Sequence, residues 1–205
     1  MKTIITIGRQ YGSGGRAIGR RVAEELGIPC YDKELILLAA QKSGMSAEVF
    51  AHVDETATSS FLYAISAGAH PGAGFAPQGQ LPLNDKLFIS QTEVIREAAK
   101  EGACVFIGRC ADFVLKDEEH ILNVFVRADM DFRIGRIMEA ESCNAKTAAD
   151  IITKSDKKRA RYYNFYTQKR WGAIDSYDLV LNNAKLGADE IVRQICAAAR
   201  AVDAK

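Results

Sequence analysis

Four glycines lie close together near the start of the sequence, in the run Gly8-Arg9-Gln10-Tyr11-Gly12-Ser13-Gly14-Gly15. Because glycine lacks a Cβ, such a run adopts positive φ angles and lets a ligand approach the backbone closely. Apolar residues at Ile18, Val22 and Leu26 recur every four positions and indicate a helix directly after the run. The start of a helix presents N–H groups and the positive end of its dipole. We therefore expect an anion such as phosphate to bind here.

Arginines surround the same loop, at Arg9, Arg16, Arg20 and Arg21. A cation near a helix N-terminus is disfavoured by about 0.3–1 kcal/mol, so a bound polyanion would offset the cost of placing several there. The alternative is an ordinary strand–turn–helix connection with solvated arginines.

The loop departs from the common phosphate-binding pattern G-x-x-x-x-G-K-[ST]. Gly15 stands where the lysine would fall, and Ala17 offers no hydroxyl for Mg²⁺. We expect Arg16, or Arg9 folding back, to supply the missing charge, since a guanidinium also binds phosphate oxygens. The residues predicted to bind phosphate groups are Gly8, Arg9, Gly12, Ser13, Gly14, Gly15, Arg16 and Ala17.

Asp32 is a second candidate, at the end of the run Gly27-Ile28-Pro29-Cys30-Tyr31-Asp32, which reads as a helix stop and a short strand. Open α/β sheets bind ligands at the carboxyl ends of their strands. We expect Asp32 to hold Mg²⁺ through water or to orient a substrate hydroxyl. The alternative is an N-cap for a helix that begins near Lys33, and one carboxylate can serve both purposes.

Arg109 follows Gly108 at the end of an apolar stretch, residues 103–107, of the kind that parallel sheets bury. Its position predicts a clamp on a substrate phosphate, because a guanidinium binds phosphate oxygens in pairs. The alternative is a surface arginine paired with Asp112 or Asp117.

Charged and aromatic residues form a cluster later in the chain: Lys154, Asp156, Lys157, Lys158, Arg159, Arg161, Tyr162, Tyr163, Phe165, Tyr166 and Trp171. On a helix, Asp156 and Arg159 share a face, with Tyr163 one turn beyond Arg159. This pattern favours a lid whose arginines, Arg159 and Arg161, meet a transferring phosphoryl group. The alternatives are a surface on which single-stranded nucleic acid stacks and a solvated helix face.

Strand patterns alternate with helical patterns along the chain, which predicts an α/β fold with a parallel sheet. Residues from about 35 to 83 end in a long tract of Gly, Pro and small residues, so we expect a mobile insert that closes over the substrate. The length of 205 residues and the 48% hydrophobic content predict one domain, residues 1–205.

The composition narrows the partners and the compartment. A net charge of +1 argues against a wholly basic nucleic-acid-binding protein. We expect no membrane span and no signal peptide, because the apolar runs are short and a strand begins at once. The five scattered cysteines indicate reduced thiols in a cytoplasmic protein, and the three histidines lack a metal-ligand pattern.

Five runs follow one another along nearly the whole chain: GRQYGSGG at 8–15, PCYDKEL at 29–35, FIGRCAD at 106–112, DKKRARYY at 156–163 and YDLV at 177–180. Together they resemble the cytidylate kinase-like family of P-loop proteins. The resemblance implies a three-layer α/β P-loop kinase fold. Its parts would be a five-stranded parallel sheet, a helical substrate-binding insert and an arginine-bearing lid at about residues 153–172.

Cytidylate kinases of this kind carry Gly-Arg-Asp where this chain has Gly108-Arg109-Cys110, whereas their lid motif Asp-x-x-Arg matches Asp156 and Arg159. The resemblance implies catalytic roles for Arg16, Asp32, Arg109, Arg159 and Arg161. It implies substrate contacts for Asp32, Lys33, Arg109, Asp112, Asp156 and Arg159, and a metal contact for Asp32.

The expected activity is transfer of a phosphoryl group from ATP, with Mg²⁺, to a nucleoside monophosphate, CMP or dCMP. Two alternatives stay open: a kinase of the same fold with a non-nucleotide acceptor, and a nucleotide-binding regulator that does not catalyse. We expect neither a nucleic acid nor a membrane as partner. The sequence leaves the oligomeric state open, with a homodimer as one possibility.

Overall fold

The computed structural model describes residues 1–32 and 83–204. Lys33 and residues 35–82 of the expected insert therefore lie outside the described residues. So does the helix for which Asp32 was an alternative N-cap.

Five strands form one parallel sheet in the order β2-β3-β1-β4-β5. Their bounds are β1 Ile4–Arg9, β2 Cys30–Tyr31, β3 Val105–Ile107, β4 Ile121–Arg127 and β5 Leu179–Asn182. β1 lies at the centre, and residues 3–7 are buried because both faces of the sheet are covered. The predicted parallel α/β architecture is thus confirmed.

Seven α-helices connect and cover these strands in the described residues. They are α1 Gly15–Leu26, α2 Leu83–Lys100, α3 Ala111–Val114, α4 Met130–Glu141, α5 Ala145–Thr167, α6 Asn183–Leu186 and α7 Ala188–Asp203, with a short 3₁₀ turn at Ile174–Ser176. The helical pattern predicted from residue 145 to about 167 matches α5. Among these described helices, not one combines the length and the apolar content that a membrane span requires.

The two faces of the sheet have separate cores. On one face, Ile5 and Ile7 of β1 pack with Ile18 of α1 and with Ile191 and Ile195 of α7. The opposite face carries Ile4 and Phe106, which pack against α2 and α3 through Ile95, Ala111 and Leu115. Alternation along β1 sends successive side chains to opposite faces, so the strand is fixed from both sides.

A third, smaller core joins α4 to α5 beside the end of β1. It contains Ile137, Ala148 and Ile152, and Tyr11 packs against it from the residues that follow β1. The long helix α5 is therefore positioned next to the glycine-rich run, where its polar residues can reach the carboxyl ends of the strands.

Candidate active site

The glycine-rich loop (residues 8–15) turns from β1 into α1. Gly12 and Gly14 have φ angles of 76° and 83°, and Gly14 is the N-cap residue of α1. A residue other than glycine reaches this left-handed region only at a cost. The predicted glycine-dependent turn into a helix N-terminus is confirmed.

Ser13 faces the protein and helps to shape this turn. Its side chain is fully buried, and its Oγ donates a hydrogen bond of 2.8 Å to the carbonyl of Gln10. The Ser13 carbonyl accepts a 2.8 Å hydrogen bond from Nδ2 of Asn183 at the start of α6. Asn183, the first residue of α6, therefore holds the loop in place through this hydrogen bond.

Gly15 occupies a position where a side chain does not fit. A Cβ there would lie 2.6 Å from the Cβ of Arg9 and 3.1 Å from the Cβ of Val126. Both neighbours are close to the backbone and cannot move aside cheaply. A lysine at this position is therefore incompatible with the observed loop.

A wide cleft opens in front of the loop and is called here the loop cleft. Six arginines line it: Arg9, Arg16, Arg20, Arg109, Arg136 and Arg159. Such a concentration of guanidinium groups around a helix N-terminus suits a polyphosphate.

Sequence reasoning missed Arg136. Its Cζ lies 3.7 Å from the position that a Cβ on Gly14 would occupy, so its guanidinium group lies at the loop itself. Arg133 and Arg136 are three residues apart on α4, a spacing that places both on the side of the helix near the loop. A pair of arginines three residues apart, in the helix that follows β4, was the sequence feature from which Arg136 could have been identified.

Asp32 follows β2 and is only 5% exposed. Its Oδ2 accepts a hydrogen bond from Nε of Arg16 and lies 3.8 Å from Nη2 of Arg20. The two arginines at the start of α1 thus neutralise this carboxylate. No cluster of three or more His, Cys, Asp or Glu side chains that could hold a metal ion occurs within the described ranges.

A second, smaller cavity, the aromatic pocket, lies beside the loop cleft. It is lined chiefly by Arg109, Asp112, Tyr162, Tyr163, Trp171 and Tyr177. Arg9, Arg109 and Arg159 line both cavities. These three arginines therefore belong to the lining of both cavities.

Arg109 lies in a turn with unusual backbone angles. Gly108, Arg109 and Cys110 have φ angles of 74°, 60° and 56°, a conformation that non-glycine residues seldom adopt. Arg109 is 8% exposed, so the alternative of a surface arginine is wrong. A Cβ on Gly108 would lie 1.9 Å from Nη1 of Arg9, which shows how closely the Arg9 guanidinium crosses this turn.

Helix α5 contributes Arg159 to both cavities. Nη1 of Arg159 donates a 3.3 Å hydrogen bond to the Arg9 carbonyl, and its guanidinium lies 5.3 Å from the centre of the Tyr11 ring. Asp156, one turn earlier on the same face, accepts hydrogen bonds from Tyr11 and Arg133 and lines neither cavity. Arg161 is exposed and likewise lines neither cavity.

Asp112 is held inside the aromatic pocket by a tyrosine of α5. The hydroxyl of Tyr163 donates a 2.6 Å hydrogen bond to Oδ2 of Asp112. Burial raises the pKa of Asp112, and the hydrogen bond from Tyr163 opposes part of that increase. The pKa of Tyr163 is raised by its own burial and by the nearby Asp112 carboxylate, so the hydroxyl stays protonated as the donor.

The other aromatic residues of α5 pack mainly on α2. The rings of Phe88 and Tyr166 stack with centroids 4.0 Å apart, and the Tyr166 hydroxyl donates a 2.9 Å hydrogen bond to Asp85. The Tyr162 hydroxyl donates a 3.4 Å hydrogen bond to Gln91. These rings are engaged within the protein, which removes much of the surface that the nucleic-acid alternative requires.

Comparison with known proteins places this geometry in a family. The model of the cytidylate kinase-like family matches residues 4–185. The chain is 26% identical over 199 residues to a cytidylate kinase of Methanopyrus kandleri, a match that covers 93% of this chain and 89% of the relative.

Two solved structures are similar over nearly the whole chain. An uncharacterised protein from Eubacterium ventriosum matches with a TM-score of 0.71 and 28% identity, covering all of both chains. Shikimate kinase from Bacteroides thetaiotaomicron matches with a TM-score of 0.55 and 13% identity, covering 98% of this chain and 99% of that one. The latter likeness concerns the fold alone, which is that of the P-loop kinases. The chain belongs to the cytidylate kinase-like family.

Proposed function

We propose that this protein transfers the γ-phosphoryl group of ATP to a nucleoside monophosphate, CMP or dCMP, in the cytoplasm. One observation carries the proposal: Arg9, Arg109 and Arg159 line both the loop cleft and the aromatic pocket. Phosphoryl transfer needs two sites that meet at a point where negative charge is neutralised. The three arginines that the two cavities share are the residues that we expect to neutralise this charge.

The loop cleft is the proposed donor site. Backbone N–H groups at the start of α1 would bind the nucleotide phosphates, as at other helix N-termini. We assign the charge that a lysine supplies in the common motif to Arg136, whose guanidinium lies beside Gly14. Arg16 lines the cleft as well, but its Nε is bonded to Asp32.

The aromatic pocket is the proposed acceptor site. Arg109 would bind the phosphate of the monophosphate, and the rings of Tyr162, Trp171 and Tyr177 would contact the base. A carboxylate has lone pairs beyond the one that Tyr163 uses, so Asp112 can also accept a hydrogen bond from the exocyclic amino group of cytosine. Uracil has a carbonyl oxygen in the same place, which Asp112 would repel.

Mg²⁺ requires a separate statement, because Asp32 was the expected metal contact. The observed Asp32 is paired with Arg16 and Arg20, so the described residues do not fit a metal ion held there by the protein. We therefore propose that Mg²⁺ is carried by the phosphates of the nucleotide, as is usual for this ion. Asp32 then has the role of orienting the two arginines at the start of α1.

The test is release of ADP by the purified protein, with ATP and a panel of acceptors that includes CMP, dCMP, UMP, AMP and hydroxylated small molecules. We expect CMP or dCMP to give the highest kcat/KM, and Asp112→Asn to reduce the preference for CMP over UMP. If only a non-nucleotide acceptor supports turnover, the proposed acceptor is wrong, and the loop cleft remains the proposed donor site.

One observation favours the regulator as a second candidate. The packing around Gly15 excludes the lysine of the common motif. Tight binding of ATP by calorimetry, with no ADP released for any acceptor, would support a regulator and contradict the kinase.

A further inference from the structure

We infer that Asp156 is a positioning residue, which holds the glycine-rich loop in its phosphate-binding conformation through the backbone of Tyr11. The catalytic consequence of this inference rests on the proposed function. The lid motif predicted that Asp156 would contact the substrate, whereas the observed side chain is directed at the loop backbone.

The two carboxylate oxygens of Asp156 have different partners. Oδ1 accepts a 2.7 Å hydrogen bond from the backbone N–H of Tyr11, and Oδ2 accepts a 2.5 Å hydrogen bond from Nη1 of Arg133. The same Nη1 of Arg133 donates a 3.3 Å hydrogen bond to the Tyr11 carbonyl. Both polar groups of the Tyr11 backbone are therefore held by one ion pair between α4 and α5.

The ion pair is sheltered from water. The side chains of Arg133 and Asp156 are 7% and 18% exposed. Exposed pairs contribute little to stability, but removing one partner of a buried pair is costly because the other charge is left unpaired. The buried Nε of Arg133 has no hydrogen-bond partner among the described residues. The positive charge of Arg133 is therefore compensated chiefly by the carboxylate of Asp156.

The position of Tyr11 connects this pair to phosphate binding. Tyr11 immediately precedes Gly12, whose φ angle of 76° sets the turn, and a Cβ on Gly12 would lie 3.2 Å from the Cβ of Arg133. A glycine-rich segment has high conformational entropy when it is free. Holding Tyr11, which leads into Gly12, before the ligand arrives reduces the ordering cost that binding would otherwise include.

The same helix turn also presents Arg159 to the cleft, through its hydrogen bond to the Arg9 carbonyl and its contact with the Tyr11 ring. Asp156 and Arg159 thus share one face of α5 but have different tasks. Asp156 holds the loop backbone, and Arg159 lines the cleft in which the ligand would bind.

Two matched double variants separate the Tyr11 hydrogen bond from the buried charge. Asp156→Asn with Arg133→Met removes both charges but keeps a side-chain oxygen that can accept the Tyr11 N–H. Asp156→Ala with Arg133→Met removes both charges and that acceptor. Asp150→Asn, at an exposed position of the same helix, serves as the control.

The first measurement is amide hydrogen exchange at Tyr11 in the full chain without nucleotide. We expect exchange about tenfold or more faster in the alanine pair than in the asparagine pair, because only the latter keeps the hydrogen bond. Equal exchange in the two pairs would overturn the inference. This measurement does not depend on the protein being a kinase.

The second measurement is the affinity for a non-hydrolysable ATP analogue, by calorimetry, together with the KM for ATP and for CMP. We expect the alanine pair to bind the analogue about tenfold more weakly than the asparagine pair, with the KM for CMP within twofold. A purely structural role would lower the melting temperature of both pairs and leave their affinities equal. Should the unmodified protein bind no nucleotide, the proposed function fails, and the exchange measurement still decides the role of Asp156.

Discussion

Three guanidinium groups, those of Arg9, Arg109 and Arg159, concentrate positive charge between two cavities. Each is held by a different part of the fold: the end of β1, the turn after β3 and the middle of α5. A reaction that moves a phosphoryl group between the cavities would meet all three.

Replacement of Arg159 by alanine is expected to lower kcat/KM on the order of 10²–10³-fold, because a charge aimed at the transferring group is lost. The measurement is steady-state ADP release with CMP as acceptor. Lys158→Ala, an exposed neighbour on α5, should stay within twofold of the unmodified protein. Equal losses in the two variants would contradict the role given to Arg159.

Gly15→Ala is expected to destabilise the protein by about 1–3 kcal/mol, because the new Cβ would overlap the Cβ atoms of Arg9 and Val126. Gly135→Ala provides the contrast, since a Cβ there, in the middle of α4, meets no atom within 4 Å. That variant should be stabilised by about 0.5–1 kcal/mol through its better helix propensity. Urea unfolding measures both changes in the free energy of unfolding. Similar changes for the two variants would contradict the tight packing around Gly15.

Helices α3 and α5 are joined by the hydrogen bond from Tyr163 to Asp112. Both residues line the aromatic pocket, so the contact fastens α5 to α3 and holds the Asp112 carboxylate in place. Because burial raises the pKa of Asp112, ionising this carboxyl group costs stability. Stability from this group is fully present below its unfolded pKa and is lost as the pH rises through the folded pKa.

Tyr163→Phe is expected to make this loss larger, since the hydrogen bond that favours the ionised carboxyl is removed. The free energy of unfolding should fall by about 1–3 kcal/mol at pH 8 and by less at pH 4, where Asp112 is more protonated. Denaturant unfolding at the two pH values gives the difference. Tyr162→Phe, whose hydroxyl bonds the neutral Gln91, should show no such pH dependence.

The two ends of the described chain meet at Asp203, the last residue of α7. Its Oδ1 accepts hydrogen bonds from the backbone N–H groups of Lys2 and Thr3 and from Oγ1 of Thr3. These bonds lower the pKa of Asp203 below its usual range. The contact joins the end of α7 to the residues just before β1, and so holds α7 against its face of the sheet.

Asp203→Asn is expected to lower the melting temperature at pH 7, because an ionised acceptor binds two N–H groups better than an amide does. The folded pKa is depressed, so this stabilisation is present above the unfolded pKa and is lost as the pH falls through the folded pKa. The difference between the variant and the unmodified protein should therefore shrink towards pH 2 in thermal unfolding scans. Glu139→Gln, an exposed change on α4, should leave the pH 7 melting temperature unchanged.

Local patterns were sufficient to predict the strands, the helix after the glycine-rich loop and the bounds of α5. The β-branched residues of β1 and the four-residue repeat of Ile18 and Val22 are properties of neighbouring residues, so they can be read along the chain. The scattered positions of the cysteines predicted free thiols, and the structure contains five of them. The candidate arginines Arg9, Arg109 and Arg159 were identified because each follows a strand end or lies on a patterned helix.

Partners that are distant in sequence could not be predicted in this way. Asp156 was assigned to the substrate, but the packing of α4 on α5 turns it towards Tyr11, 145 residues away. Arg136 was missed because its proximity to Gly14 exists only once α4 folds against the loop.

Residue order therefore decided which elements form and which residue types reach the carboxyl edge of the sheet, since both follow from local geometry and strand direction. The tertiary structure decided which charged groups pair with one another and which arginines line the two cavities. A buried carboxylate must find a cation or a donor wherever the fold supplies one. Arg16 meets that requirement for Asp32 and Arg133 meets it for Asp156, and the same fold brings Arg9, Arg109 and Arg159 into the lining of both cavities.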